Sequence, residues 1–278
     1  DKNIGNLYNR GFEVSLTGHV VKSKDFNYRV TLNATTLKNQ ITKMPDGQPL
    51  IQSGSKAYSV GHSIYDFYMR EFYGVDPETG TSLYRTNTMT ANAKMIGADT
   101  VTTVISEANY RYTGDSSIPD VFGSMQHNFS YKNFTLGVQL VYNIGGKTYD
   151  SNYQSLMHGG SYGTTLHVDA LKRWQNPGDI SSVSRFDNGN ITNQTGTSDR
   201  YLISNTYLQI NNITLNYNFG QNAIKAIGAK GASVYVSGDN IALFNKRQGM
   251  NNLGSFNGTV ANGYNFSRVF VVGAKVRF

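Results

Sequence analysis

Histidine is the first residue type to weigh for chemistry, because imidazole serves both as a metal ligand and as a general base near neutral pH. His19, His62, His127, His158 and His167 are dispersed, and no HExxH or paired spacing joins any two of them. His158 and His167 share a long polar segment with Asp169, where three metal ligands come close in sequence. Solvated loop histidines are the plainer reading there. The pairs Asp76 with Glu78 and Asp179 with Asp187 have the residue types for glycoside hydrolysis. Both sit among turn-forming residues, where an aspartate bonds its own backbone. No GxSxG elbow, GxGxxG fingerprint or P-loop is present, and the chain has no cysteine. Disulfides, cysteine-ligated zinc, iron–sulfur clusters and thiol nucleophiles are thereby excluded. No catalytic residue, metal or cofactor is assigned, and a role other than an enzyme's is expected.

Binding chemistry is better supplied. The stretch Lys147–Arg200 carries Tyr149, Tyr153, Tyr162, Trp174 and Phe186, with Arg173 and Arg185 among them. Aromatic faces stack on sugar rings, and guanidinium groups bond hydroxyls or peptide groups. Loops on a rigid scaffold are where such sites sit. These residues are the candidates for contact with substrate or partner, although packing within the loop is the plainer reading of Trp174.

The elements that must position this loop announce themselves by alternation. Phe12, Val14, Leu16, Gly18 and Val20 alternate with Glu13, Ser15, Thr17 and His19, and Phe26, Tyr28, Val30 and Leu32 follow a short polar turn. Gly123, Met125, His127, Phe129 and Tyr131 repeat the pattern, Lys132-Asn133 turns the chain, and Phe134, Leu136, Val138, Leu140 and Tyr142 answer it. Such period-two runs predict antiparallel strands, apolar on one face and polar on the other. Further strands are predicted near residues 207–219, 232–244 and 266–278, with weaker ones near 59–69 and 81–87, about nine in all. A phase slip between Ile210 and Ile213 predicts a bulge at Asn211-Asn212. A short helical turn is expected near 221–230.

The connections are uneven. Turns at 22–25 and 132–133 are tight, whereas 39–58, 88–121, 147–200 and 245–265 are long and polar. Charged residues are only 15% of the chain, against ~25% in ordinary soluble domains, and the polar face is rich in Asn, Ser, Thr and Gln. The net charge of +7 comes from scattered residues, which argues against nucleic acid as a partner. An all-β fold follows: an antiparallel transmembrane β-barrel segment, with long extracellular loops and short periplasmic turns. A soluble β-sandwich shares the alternation but usually carries more charge on its wet face.

Several stretches, in order, resemble the C-terminal part of SusC-like (RagA-like) TonB-dependent outer-membrane transporters of Bacteroidetes. They are Asn3-Ile4-Gly5 with Asn9-Arg10-Gly11-Phe12-Glu13; Gly74-Val75-Asp76-Pro77-Glu78-Thr79-Gly80; Arg173-Trp174; Ser198-Asp199-Arg200-Tyr201-Leu202 running into Tyr207–Tyr217; and Val234-Tyr235-Val236-Ser237-Gly238-Asp239-Asn240. The resemblance implies that residues 1–278 are about nine strands of a barrel of roughly 22. Nothing in them resembles a plug domain or a TonB box. It implies TonB-dependent import of oligosaccharides or oligopeptides across the bacterial outer membrane, with a SusD-like surface lipoprotein as partner. The TonB complex would be reached through N-terminal parts that this sequence does not hold. An odd strand number places the C-terminus in the periplasm. The final Phe278, after alternate Val276, Val272 and Phe270, resembles the signal read by the barrel-assembly machinery, and outer-membrane lipid would meet the apolar face. The competing reading is a structural or adhesive cell-surface β-protein, and a weaker one is a glycan-active enzyme.

Overall fold

The computed structural model describes residues 5–188, 195–226, 228–247, 249–253, 256–260 and 266–278. Asn3 and Ile4 of the first resembling stretch lie outside these residues. The alternating runs become seven long strands: β1 (Asn6–Lys22), β2 (Phe26–Lys43), β3 (Val121–Tyr131), β4 (Phe134–Ile144), β5 (Tyr207–Asn218), β6 (Gly231–Asn245) and β7 (Val269–Arg277). They pair as antiparallel neighbours in chain order in one sheet. Lys132 adopts a left-handed conformation (φ 49°) in the two-residue turn between β3 and β4. Gln221–Ala226 is a short helix between β5 and β6. The bulge expected from the phase slip is present, since Gln139 faces Asn212 while Leu140 faces Ile210. The insertion of Asn211 returns Ile213 to the apolar face.

The expected count of nine is corrected to seven in this sheet. The weaker strands near 59–69 and 81–87 are shorter than their sequence suggested and belong to separate small sheets. Lys56–Tyr58 and Asp66–Arg70 join Ile51–Ser53 and Tyr110–Ser116, and Ser82–Arg85 joins Phe72–Val75, Asp99–Thr102 and Ala93–Ile96. All of these lie in the excursion from β2 to β3. The number stays odd, and the asymmetry holds. Short connections follow β1, β3 and β5, whereas long ones follow β2, β4 and β6.

Pairing register builds rows across the sheet. One apolar row runs Phe26, Tyr131, Phe134, Tyr217, Val234, and another runs Val30, His127, Val138, Ile213, Gly238, Phe270. Many apolar side chains of this face are exposed: Val236 is 51% exposed, and Phe12 at one edge 79%. A water-soluble sheet would bury that face. The opposite face is a lattice of polar bonds, mostly between amides and hydroxyls. Asn211 Nδ2 donates to Gln139 Oε1 (3.2 Å), Asn212 Nδ2 to Asp239 Oδ1 (2.6 Å) and Thr214 Oγ1 to Asn212 Oδ1 (2.9 Å). Apolar residues on that face include Val141 and Leu243, flanking Gln209, together with Phe122 and Val271.

Aromatic rings mark both ends of the apolar band. Tyr131, Phe134, Tyr217 and Phe219 stand at the short-turn rim, with Phe134 and Tyr217 4.7 Å apart, while Tyr142 and Phe244 stand at the other. From Phe134 to Tyr142 is about 27 Å along the strand at ~3.4 Å per residue. Tilted by ~40°, that spans about 21 Å, close to the ~25 Å apolar band of outer-membrane barrels. His127 lies within the band, and its Nδ1 bonds the Tyr28 hydroxyl at 2.8 Å, so its polarity is met on the sheet.

Candidate functional site

The packed core of this chain lies outside the sheet, in the long connections. Phe67 and Met69 from the first connection pack with Tyr149, Met157, Ala170, Val183 and Tyr201 from the second. The third is stitched on through the Tyr149 N–H to Gly258 carbonyl bond (2.7 Å) and the Arg247–Asp150 ion pair (Nε to Oδ2, 2.8 Å). Three connections that read as polar loops therefore form one cap on one rim. Asn39 near the end of β2 ties cap to sheet. Its Oδ1 accepts from the Ser63 hydroxyl (2.8 Å) and the Ile64 N–H (3.0 Å), and its Nδ2 donates to Asn9 Oδ1 (2.7 Å).

Asp76 shows why its segment is a turn and not a catalytic pair. Its Oδ1 accepts from the Glu78 N–H (3.1 Å), its Oδ2 from the Thr79 hydroxyl (3.0 Å), and the Lys94 ammonium stands 2.6 Å from Oδ2. Burial alone would raise this carboxyl, but Lys94, the Glu78 N–H and Thr79 outweigh it and hold it below the usual aspartate value. Gly80 closes the turn with φ 69°, and a Cβ there would clash with the Trp174 ring. Trp174 lies flat against that glycine and its Nε1 donates to the Pro77 carbonyl (2.8 Å). Arg185 clasps the same turn, its backbone N–H to the Gly80 carbonyl (2.8 Å) and its Nη1 to the Thr79 carbonyl (2.9 Å). Two of the stretches that resembled a family in sequence, Gly74–Gly80 and Arg173-Trp174, thus meet in space.

The other candidates divide by exposure. Tyr149 is buried in the cap core, and Tyr153 is half-buried, with its hydroxyl on Asp169 Oδ2 (3.0 Å) and the Arg247 guanidinium 3.5 Å from its ring centroid. Arg173 stacks over the Phe186 ring at 4.5 Å. Tyr162 alone of the set stands free, 96% exposed. Sequence reasoning passed over three apolar residues of the same connection, Val168, Leu171 and Ile180, also exposed. Val168 and Leu171 share one 3-10 turn, and the Ser181 hydroxyl bonding the Lys172 carbonyl (2.7 Å) brings Ile180 beside it. Isolated apolar residues in a polar loop carry no periodic signal, so only the fold could group them.

His158 and His167 serve the loop. His158 Nδ1 lies 3.2 Å from the Gly160 N–H, and His167 accepts from the Asp169 N–H as cap of its turn. No group of three metal-ligating side chains occurs among the described residues. Glu107, also unforeseen, accepts from Thr90 (2.6 Å), Asn92 (2.8 Å) and Thr102 (2.9 Å), which hold it below the usual glutamate value.

Lys56 is the cap's one strongly displaced cation among the described residues. Its ammonium sits 3.3 Å from the Phe67 ring centroid, donates to the Tyr65 carbonyl and lies 3.2 Å from the Ser117 hydroxyl. Burial pushes its pKa down to about 7 against the pull of Asp66. The folded value lies below the unfolded one, so between them the unfolded chain holds the extra proton and stability rises with pH. Cap stability is therefore expected to increase from pH 7 toward 10. Above that, buried phenols such as Tyr84, raised by burial to about 12, act in the opposite direction. Thermal melts across this range check the trend, and Lys56→Met is expected to flatten it.

No family model matches the chain. Among curated proteins, TonB-dependent receptor P3 of Formosa agariphila is 25% identical over 257 residues, covering 87% of this chain and 25% of the relative. TonB-dependent receptor SusC of Bacteroides thetaiotaomicron is 24% identical over 305 residues, covering 100% of this chain and 27% of the relative. Among solved structures, the RagAB peptide transporter matches with a TM-score of 0.84 at 22% identity, over 99% of this chain and 30% of that one. The RagAB peptide importer in its open-open state matches with a TM-score of 0.84 at 20% identity. The chain thus spans between a quarter and a third of the length of the proteins it matches. In sequence it is similar to the C-terminal part of TonB-dependent receptors, SusC among them, and its fold is that of the corresponding barrel segment of the RagAB transporter.

Proposed function

We propose that this chain is the C-terminal part of an outer-membrane importer that takes up oligosaccharides or oligopeptides with energy from TonB. The observation that carries the reading is the division of the molecule: an outward apolar sheet of membrane height bearing a folded cap on one rim only. β1 and β7 end the sheet with unpaired edges, which a bilayer tolerates only when further strands close the barrel. Those strands, the plug and the TonB-contacting segment belong, on this reading, to the rest of the receptor. The cap faces outside, the C-terminus lies in the periplasm, and Phe278 with Phe270, Val272 and Val276 serves the barrel-assembly machinery.

A SusD-like lipoprotein is the proposed partner of the cap. Ordering of the loop does not require it, since the loop packs on the chain's own core. On this reading the exposed Tyr162, Val168, Leu171 and Ile180 of the second connection contact it, and interface anchors are typically aromatic or aliphatic groups of this kind. Replacing all four by serine in the full-length receptor is expected to lower partner co-purification at least tenfold while the cap resists protease as before. Undiminished co-purification would place docking elsewhere. Uptake of defined glycans and peptides by cells with and without the receptor, and with TonB disabled, tests the import reading itself. Wild-type uptake in both mutants would favour the adhesive alternative.

A further inference from the structure

We propose that a groove of about 760 Å³ on the apolar face of the sheet, at the cap-side rim, binds one acyl chain of a membrane lipid whose anionic headgroup pairs with Lys246. The groove is lined from β2 to β6 by Leu32, Met125, Tyr142, Leu208 and Phe244. Register places all of these on the outward face: Leu32 pairs with Met125, and Tyr142 with Leu208, which in turn pairs with Phe244. The depression has a backbone cause. β3 has Gly123 beside Tyr142, and a Cβ there would clash with the Asn33 carbonyl and the Tyr142 hydroxyl. The Tyr142 ring crosses that glycine to donate to the Asn33 carbonyl at 2.9 Å. Tilted aside in this way, the ring leaves space between Met125 and Leu208.

The upper end of the groove changes character. Ser204, Thr206 and Lys246 line it there. Lys246 is the first residue after β6, two residues beyond Phe244, and lines the groove together with it. Phe244 belongs to the aromatic ring of that rim, so Lys246 reaches headgroup level, where a lysine attracts anionic lipid. Apolar walls topped by hydroxyls and one exposed ammonium match an anionic amphiphile better than a purely apolar protein face. Leu136, Leu215 and Val236, lower on the same face, line no part of this groove and serve as the internal comparison.

The inference rests on the barrel fold and is independent of the import reading. The test is native mass spectrometry of the full-length receptor with added phosphatidylglycerol or phosphatidylethanolamine. One phosphatidylglycerol per receptor is expected to persist at collision energies that strip the rest. Lys246→Gln is expected to cut its preference over phosphatidylethanolamine about fivefold. Met125→Trp, which fills the groove from a lipid-facing position, is expected to abolish the retained lipid, whereas Leu136→Trp leaves it. Equal retention by wild type, Lys246→Gln and Met125→Trp would overturn the proposal. So would efficient disulfide cross-linking of two receptors through Phe244→Cys, which would assign the groove to a second copy.

Discussion

Val138→Arg is expected to eliminate the folded, heat-modifiable form of the full-length protein, whereas Gln139→Arg at the adjacent position leaves it. Val138 lies midway between the aromatic positions Phe134 and Tyr142 and is flanked by His127 and Ile213 on the outward face. An arginine on the lipid face near the bilayer midplane costs ~2–4 kcal/mol, a large fraction of a barrel's margin. Gln139 stands between Gln126 and Asn212 and bonds the Asn211 amide. A guanidinium there meets amides and water. Semi-native gel mobility before and after heating reads the outcome, and equal behaviour of the two variants would contradict the face assignment.

The second large effect concerns the cap. Trp174→Ala is expected to destabilise it by about 3–5 kcal/mol, the usual range for emptying a buried large aromatic site. The indole is buried against Gly80, and its N–H bond to the Pro77 carbonyl is lost with it. Tyr162→Ala, removing a ring that touches solvent, is expected to leave cap stability unchanged. Limited proteolysis of intact cells separates the two, with cleavage inside 147–200 accelerated only in the tryptophan variant. Resistance equal to wild type would mean that Trp174 does not clamp the turn.

The sheet was legible because period two is a local signal. Each run from Phe12 to Val20 or from Phe134 to Tyr142 states its own face, and the slip at Asn211 announced its bulge. The cap was not legible. Its strands are three to seven residues long, too short for alternation to register. Their core is assembled from residues as distant as Phe67 and Tyr201. That is why Ser82–Arg85 read as a barrel strand and why 147–200 read as a long polar loop. The candidate surface was legible in composition alone. Aromatic content singled out the segment 147–200, but only three-dimensional packing separates Trp174 and Tyr149, spent inside, from Tyr162, left outside. Lys56 and Glu107 gave no signal, because their environments come from residues far away in sequence.

The central claim is that one face of the seven-stranded sheet meets lipid and the other an aqueous lumen. Absence of cysteine from this chain makes single nitroxide labels practicable at each position from Thr135 to Leu140. In reconstituted full-length receptor, collision rates with oxygen and with a water-soluble nickel reagent report the surroundings of each label. Oxygen is expected to dominate at Leu136, Val138 and Leu140, and the nickel reagent at Thr135, Gly137 and Gln139. A nickel-dominated signal at all six positions, or the reverse phase, would contradict the account.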